Sequence, residues 1–125
     1  MNVSSADKKS LLVVIRRSPY GSSLARAAVD TALAAAAFEQ PVKLLFMGDG
    51  VLQLLPKQDS QRISAKNLGR LLASLPLYDV ETVYIDAAAA TLYGVELTGL
   101  PVTTQALDGG GIHQLMNSCD HILGF

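Results

Sequence analysis

The chain has 125 residues, 50% hydrophobic and 17% charged, with a formal net charge of −1 and a pI near 6.0. This is the size of one domain that can bury a core without disulfides or metal, and its single cysteine allows no internal disulfide and suits a reducing cytoplasm. A near-neutral balance supplies no basic field for neutralising phosphates, which argues against direct nucleic-acid binding, and no apolar run approaches the roughly eighteen residues of a membrane helix.

Met1 to Ser10 is polar and lacks an apolar segment ahead of a cleavage site, so residues 1–10 are expected to form a polar tail without a secretory leader. Leu11-Leu12-Val13-Val14-Ile15 is apolar and β-branched, which predicts a first strand. Arg16 to Gly21 is a polar turn punctuated by Pro19 and Gly21. Ser22 or Ser23 can then cap a long helix running to about Glu39, rich in alanine and ended by Gln40-Pro41. Little polar surface follows Asp30, so this helix is expected to be buried on more than one side, with a subunit interface as one cover.

Val42 to Met47 is short and almost unbroken, as suits a strand covered on both faces of a parallel sheet. Gly48-Asp49-Gly50 ends it abruptly. Both glycines are expected to supply the φ freedom of a sharp turn, and Asp49 can accept from nearby backbone N–H groups. Because ligands of open α/β sheets gather beyond the carboxyl ends of strands, Asp49 marks a place to look for function. A further helix is expected from Asp59 or Ser60, with Leu68, Leu71, Leu72 and Leu75 on one face, Arg62, Lys66 and Arg70 on the other, and Pro76 as its break. Thr82 to Ile85 reads as a third strand, Ala87 to Gly94 as a small-residue helix, Val102 to Thr104 as a short fourth strand, Asp108 to Asn117 as a helix, and His121 to Phe125 as a final strand. The alternation predicts an α/β fold: a single domain over 11–125 with a mostly parallel sheet of about five strands and helices on both faces.

Few residues offer chemistry. Gly109-Gly110-Gly111 lacks a Walker lysine or GxGxxG companion and reads as a flexible loop before a helix. His113 and His121 have no ligand set at metal spacing, so they read as helix-surface and strand residues, and neither a metal nor a cofactor is expected. Cys119 is the one candidate thiol, but no Lys or Arg stands beside it in Asn117-Ser118-Cys119-Asp120; a small, partly buried structural cysteine is the preferred reading.

Four segments together carry a family resemblance: Ser18-Pro19-Tyr20-Gly21, the string Asp49-Gly50-Val51-Leu52-Gln53-Leu54-Leu55-Pro56-Lys57-Gln58, Leu77-Tyr78-Asp79, and the terminal Asp120 to Phe125. In this order the chain resembles the TusC/DsrF subunit of the DsrE/DsrF/DsrH-like sulfur relay proteins, the DGVxQLLPxQ string being the specific part. The resemblance implies a small α/β subunit that assembles with DsrE-like (TusD) and DsrH-like (TusB) chains, as a heterohexamer with two copies of each. In one branch such a complex passes persulfide sulfur from TusA to TusE, toward 2-thiolation of the tRNA wobble uridine; in the other it serves sulfur oxidation. In DsrE-like subunits the sulfur-carrying cysteine follows a strand and precedes an Ala-rich helix, and the residue at that place here is Asp86. A carboxylate cannot form a persulfide. The resemblance therefore implies a non-catalytic subunit, with Asp86 bonding within the loop or capping the next helix, and with Tyr20, Gly21, Gly48, Asp49 and Gly50 as partner-contact candidates. The alternatives are an active persulfide carrier using Cys119 and a stand-alone small-molecule binding domain at the strand ends.

Overall fold

Alternate residues of the first strand point into two different cores. In β1 (Leu11–Ile15) all five side chains are buried; Leu11, Val13 and Ile15 join one apolar cluster while Leu12 and Val14 join another. β2 (Val42–Phe46) divides in the same way, with Leu44 and Phe46 on one face and Leu45 on the other, and β3 (Thr82–Asp86) sends Val83 and Ile85 to one face and Tyr84 to the other. A strand with both faces covered has no polar side to show, which is why these runs are nearly continuous in apolar residues. Each fully buried Leu, Ile, Val or Phe contributes about 1.5–3 kcal/mol, so register is firmly held: a slip of one residue would exchange the two faces.

The computed structural model describes residues 9–17, 24–54, 70 and 72–125. β4 (Thr103–Leu107) and β5 (His121–Gly124) complete a five-stranded sheet in the order β4-β3-β2-β1-β5, with every pairing parallel. The chain steps outward from β1 to β4 and then returns across the sheet to place β5 beside β1. α1 (Leu24–Ala37) and α2 (Ala87–Tyr93) pack on the face of Val13 and Phe46, through Ala28, Val29, Ala32, Ala89 and Ala90. α3 (Gly109–Ser118) lies on the opposite face, where Ile112 and Leu115 meet Leu12, Val14 and Leu45. Crossovers of one hand require this arrangement, because forward steps leave their helices on one face and the returning step leaves its helix on the other. Among the described residues no helix is long and apolar enough to cross a membrane.

Several expectations need correction. The fourth strand begins at Thr103 and runs to Leu107, later and longer than Val102 to Thr104, because its pairing with β3 continues to Asp86↔Leu107. Gly109-Gly110-Gly111 is the first turn of α3 rather than a loop; Asp108 caps it by accepting from Gly111 N at 2.7 Å. Gly111 sits close to the preceding strand end, where an added Cβ would stand 3.2–3.3 Å from the Leu107 side chain and oblige it to shift. Pro76 does not simply break a helix: residues 72–74 are helical and pass into a 3-10 turn at Leu75–Tyr78 that contains it. Among the described residues α1 buries one side, and Ala34 and Ala37, with Phe38 just beyond its end, are exposed within this chain, the side for which a subunit interface was the expected cover. The final strand stops at Gly124, one residue early. Ser22, Ser23 and most of the Asp59-to-Leu75 helix lie outside the described residues.

The sheet's amino edge is tied where β5 begins. Asp120 Oδ2 accepts from Ser10 N at 2.8 Å and Ser10 Oγ at 3.2 Å, while Ser10 O accepts from Asp120 N and His121 N. The bonds from Ser10 hold the Asp120 carboxyl below its ordinary value of 3.8. A carboxyl depressed in the folded state stabilises above its unfolded value, so this tie is intact at neutral pH and is lost as pH falls below 3.8 through the native value.

Candidate functional site at the carboxyl edge of the sheet

At the carboxyl end of β2 the chain turns directly onto β1. Met47 N donates to Ile15 O at 2.9 Å and Gly50 N donates to Met47 O at 2.9 Å, opening a 3-10 segment over Gly48–Leu54. The two glycines serve different ends. Gly48 has φ +54, the left-handed region that glycine enters without penalty, and a Cβ there would meet open space. Gly50 is not in that region; it is required because a Cβ would stand 1.9 Å from Ile15 O and 2.6 Å from Ile15 C. The expectation of φ freedom thus holds for Gly48 and is corrected for Gly50, whose role is close approach of two backbones. Gln53 Nε2 adds a bond to Arg17 O at 3.1 Å, fastening the same segment to the end of β1.

Asp86 ends β3 beside this turn. Its Oδ1 accepts from Ala89 N at 3.3 Å and caps α2, and its Oδ2 accepts from Gly48 N at 3.1 Å. One partly buried carboxylate therefore joins the start of α2 to the first residue of the turn, two neutral donors meeting one charged acceptor. A second link lies farther along α2, where Tyr93 OH donates to Asp49 Oδ1. The bond to Asp49 raises the Tyr93 phenol above its ordinary value of 10.0. A group raised in the folded state stabilises below its unfolded value, so the link persists through neutral pH and is lost as pH rises beyond 10.0 through the native value. Ultraviolet titration should show one tyrosine ionising later than the others, and Tyr93→Phe should remove that late component; an unchanged titration would place the bond in doubt.

The loops after β3 and β4 leave the sheet toward opposite faces, so the crevice of this open sheet lies between Asp86 and Asp108. Both carboxylates are engaged in capping helices. Among the described residues no group of three or more His, Cys, Asp or Glu is placed to hold a metal ion.

The structure brings Gly48, Asp49, Gly50 and Asp86 together and leaves Cys119 apart. Cys119 follows α3 immediately before β5, at the amino end of the sheet, half-buried against the α3 face with Ser118 Oγ at 3.9 Å from its sulfur. His113 is exposed on α3 and bonds Asn117 Nδ2 at 3.0 Å, and His121 opens β5, as their positions in sequence suggested. Tyr20, Gly21 and residues 55–58 of the signature string lie outside the described residues. Sequence reasoning missed Tyr93, because 44 residues separate it from Asp49 and only the fold brings them together. It also passed over Asp108 as a cap, although an Asp before three glycines at a helix start was a readable signal.

Comparison with known proteins agrees with this architecture. The chain superposes on the crystal structure of the ychN protein from E. coli with a TM-score of 0.76 at 22% identity, covering 94% of this chain and 99% of that one. A conserved protein of unknown function from Bacteroides thetaiotaomicron matches with a TM-score of 0.66 at 16% identity, over 99% of this chain and 100% of the other. In sequence, the TusC homolog of Pseudomonas aeruginosa is 34% identical over 115 residues, covering 92% of this chain and 97% of that protein. The TusC homolog of Vibrio parahaemolyticus is 31% identical over 115 residues, 92% of this chain and 98% of the relative. The family model described as DsrE/DsrF-like matches residues 9–125, which is every strand and helix of the sheet just described, and the chain belongs to that family.

Proposed function

We propose that this chain is a non-catalytic subunit of a multi-subunit sulfur relay complex of the TusBCD type, in which it sits with DsrE-like (TusD) and DsrH-like (TusB) chains in the cytoplasm. The complex takes persulfide sulfur from TusA and delivers it toward TusE for 2-thiolation of the tRNA wobble uridine. The observation that carries this reading is the use made of Asp86. A relay needs a thiolate that attacks one persulfide and is attacked in turn. At the strand end where the family resemblance sets that cysteine, this chain has a carboxylate bound by Gly48 N and Ala89 N. Its one thiol, Cys119, lies at the opposite end of the sheet. Similarity to TusC homologs over most of the chain supports the assignment to the tRNA branch.

What remains for the carboxyl edge is contact. The clasped unit of Gly48 to Leu54 and α2 carries an exposed Asp49 and an exposed Leu92, a polar group and an apolar one on a backbone already held in place. Co-expression with DsrE-like and DsrH-like chains should yield one complex on size exclusion, and its reconstitution with TusA and TusE should move labelled sulfur equally well with Cys119→Ser. Separate species, or transfer lost in Cys119→Ser, would overturn the reading.

A further inference from the structure

Among the described residues β5 is an outer strand with an open edge. All four of its residues are exposed, Ile122 at 47% and Leu123 at 43%, one on each face of the sheet. The α3 cluster holds Leu12 and Val14 of the neighbouring strand but no residue of β5. The strand itself carries no Lys, Asp, Glu or Pro of the kind that blunts an edge against pairing. The other edge, β4, is instead polar, with Thr103, Thr104 and Gln105.

The outward hydrogen-bonding groups can be assigned. His121 N donates to Ser10 O, Phe125 N donates to Val14 O, and Arg16 N donates to Phe125 O, so within the strand the odd residues turn their backbone groups toward β1, while Asp120 N, just before it, also donates to Ser10. By alternation, Ile122 and Gly124 turn theirs outward. An antiparallel partner would therefore centre on Ile122. If that partner is a second copy related by a two-fold axis normal to the sheet, Ile122 pairs with Ile122, each N–H donating to the other's carbonyl, and Gly124 falls opposite Asp120.

Charge agrees with this register. The Arg16 guanidinium lies over Gly124, where an added Cβ would meet its Nη2 at 3.1 Å. Asp120 of the second copy would stand opposite that glycine, and its bonds to Ser10 fall on Oδ2, leaving Oδ1 for a guanidinium N–H. The two-fold makes this pair twice.

We propose that two copies of this chain join edge to edge through β5, antiparallel and centred on Ile122, with Arg16 of each copy paired to Asp120 of the other. The inference goes beyond the relay reading and does not depend on it, since it concerns this chain alone and needs neither TusD- nor TusB-like partners. A self-paired β5 turns two five-stranded sheets into one continuous sheet and removes the open edge.

Cysteine cross-linking of the full chain in a Cys119→Ser background tests the register. Residues facing each other in a hydrogen-bonded antiparallel pair have Cα atoms about 5.5 Å apart, within reach of a disulfide. Ile122→Cys should oxidise rapidly to a covalent dimer, whereas Leu123→Cys, which faces His121 rather than itself, should not, because its two Cα atoms stand beyond about 7 Å. In sedimentation, Ile122→Lys should give a monomer with an unchanged circular dichroism spectrum, and Arg16→Glu should weaken self-association roughly tenfold at low salt through the two lost ion pairs. A chain that sediments as a monomer at every concentration, or Ile122→Cys that cross-links no faster than Leu123→Cys, would overturn the proposal.

Discussion

Gly50→Ala is expected to cost about 3 kcal/mol or more, a large share of the roughly 5–15 kcal/mol that holds a domain together. The added Cβ would stand 1.9 Å from Ile15 O and 2.6 Å from Ile15 C, and both obstacles are backbone at the end of a buried strand, so no side chain can swing aside. Relief requires the turn to lift from β1, which breaks the 2.9 Å bond between Met47 N and Ile15 O. Gly48→Ala provides the contrast. There the space is open and only the left-handed backbone is penalised, at about 1–2 kcal/mol. Urea denaturation of the two variants should rank Gly50→Ala well below Gly48→Ala. Equal losses would mean that the two glycines serve only the turn's dihedral angles and that the close approach to Ile15 is not a constraint.

Asp86→Ala is the second large effect. It removes the cap of α2, worth about 1 kcal/mol, and leaves the part-buried Gly48 N–H without its acceptor, at about 1–3 kcal/mol. The sum is about 2–4 kcal/mol, felt in one place: hydrogen exchange should accelerate at Gly48 and Ala89 before it does in β1 or β2. Asp86→Asn can keep only one of the two bonds, because its amide offers one acceptor atom where the carboxylate offers two. It should fall between wild type and alanine. If the clasped turn and α2 form the contact surface of the relay complex, Asp86→Ala should also reduce co-purification with DsrE-like and DsrH-like chains while the isolated subunit stays folded. Stability equal to wild type in Asp86→Ala would show that the carboxylate is not the joint between the two elements.

Both effects concern the turn at the end of β2, and they differ in how far they could be read beforehand. Gly48-Asp49-Gly50 after an apolar run announces a turn at the end of a buried strand, and the structure has one. The same letters say nothing about what lies beneath Gly50, since Ile15 is brought there by the pairing of β2 with β1. Asp86 before four alanines is readable as a helix cap, because capping depends on residues three positions apart. Its other bond, to Gly48, spans 38 residues and depends on β3 lying beside β2.

The errors of boundary have the same origin. Thr103 to Leu107 is a modest strand by composition, and pairing with β3 extends it past what its residues alone suggest. Gly109 to Gly111 looks flexible because glycine disfavours helix by about 1 kcal/mol per residue. Asp108 and the contact of the helix start with Leu107 override that preference. In each case a local tendency yields to a partner that is distant in the chain or lies just outside the window being read.

The amino-acid sequence by itself determined the α/β alternation, the parallel sheet with two covered faces, the absence of a thiol at the end of β3, and the kinship carried by the DGVLQLLPKQ string. These are properties of local composition and order, and burial on both faces writes them plainly as apolar runs. Tertiary structure alone decided that Asp86 and Tyr93 clasp the turn, that Gly50 rests on the backbone of β1, that Cys119 stands at the far end of the sheet, and that β5 is the outer strand with an open edge among the described residues. Those facts depend on which strand lies beside which, and strand order follows from the path of the crossovers and the packing of helices on two faces.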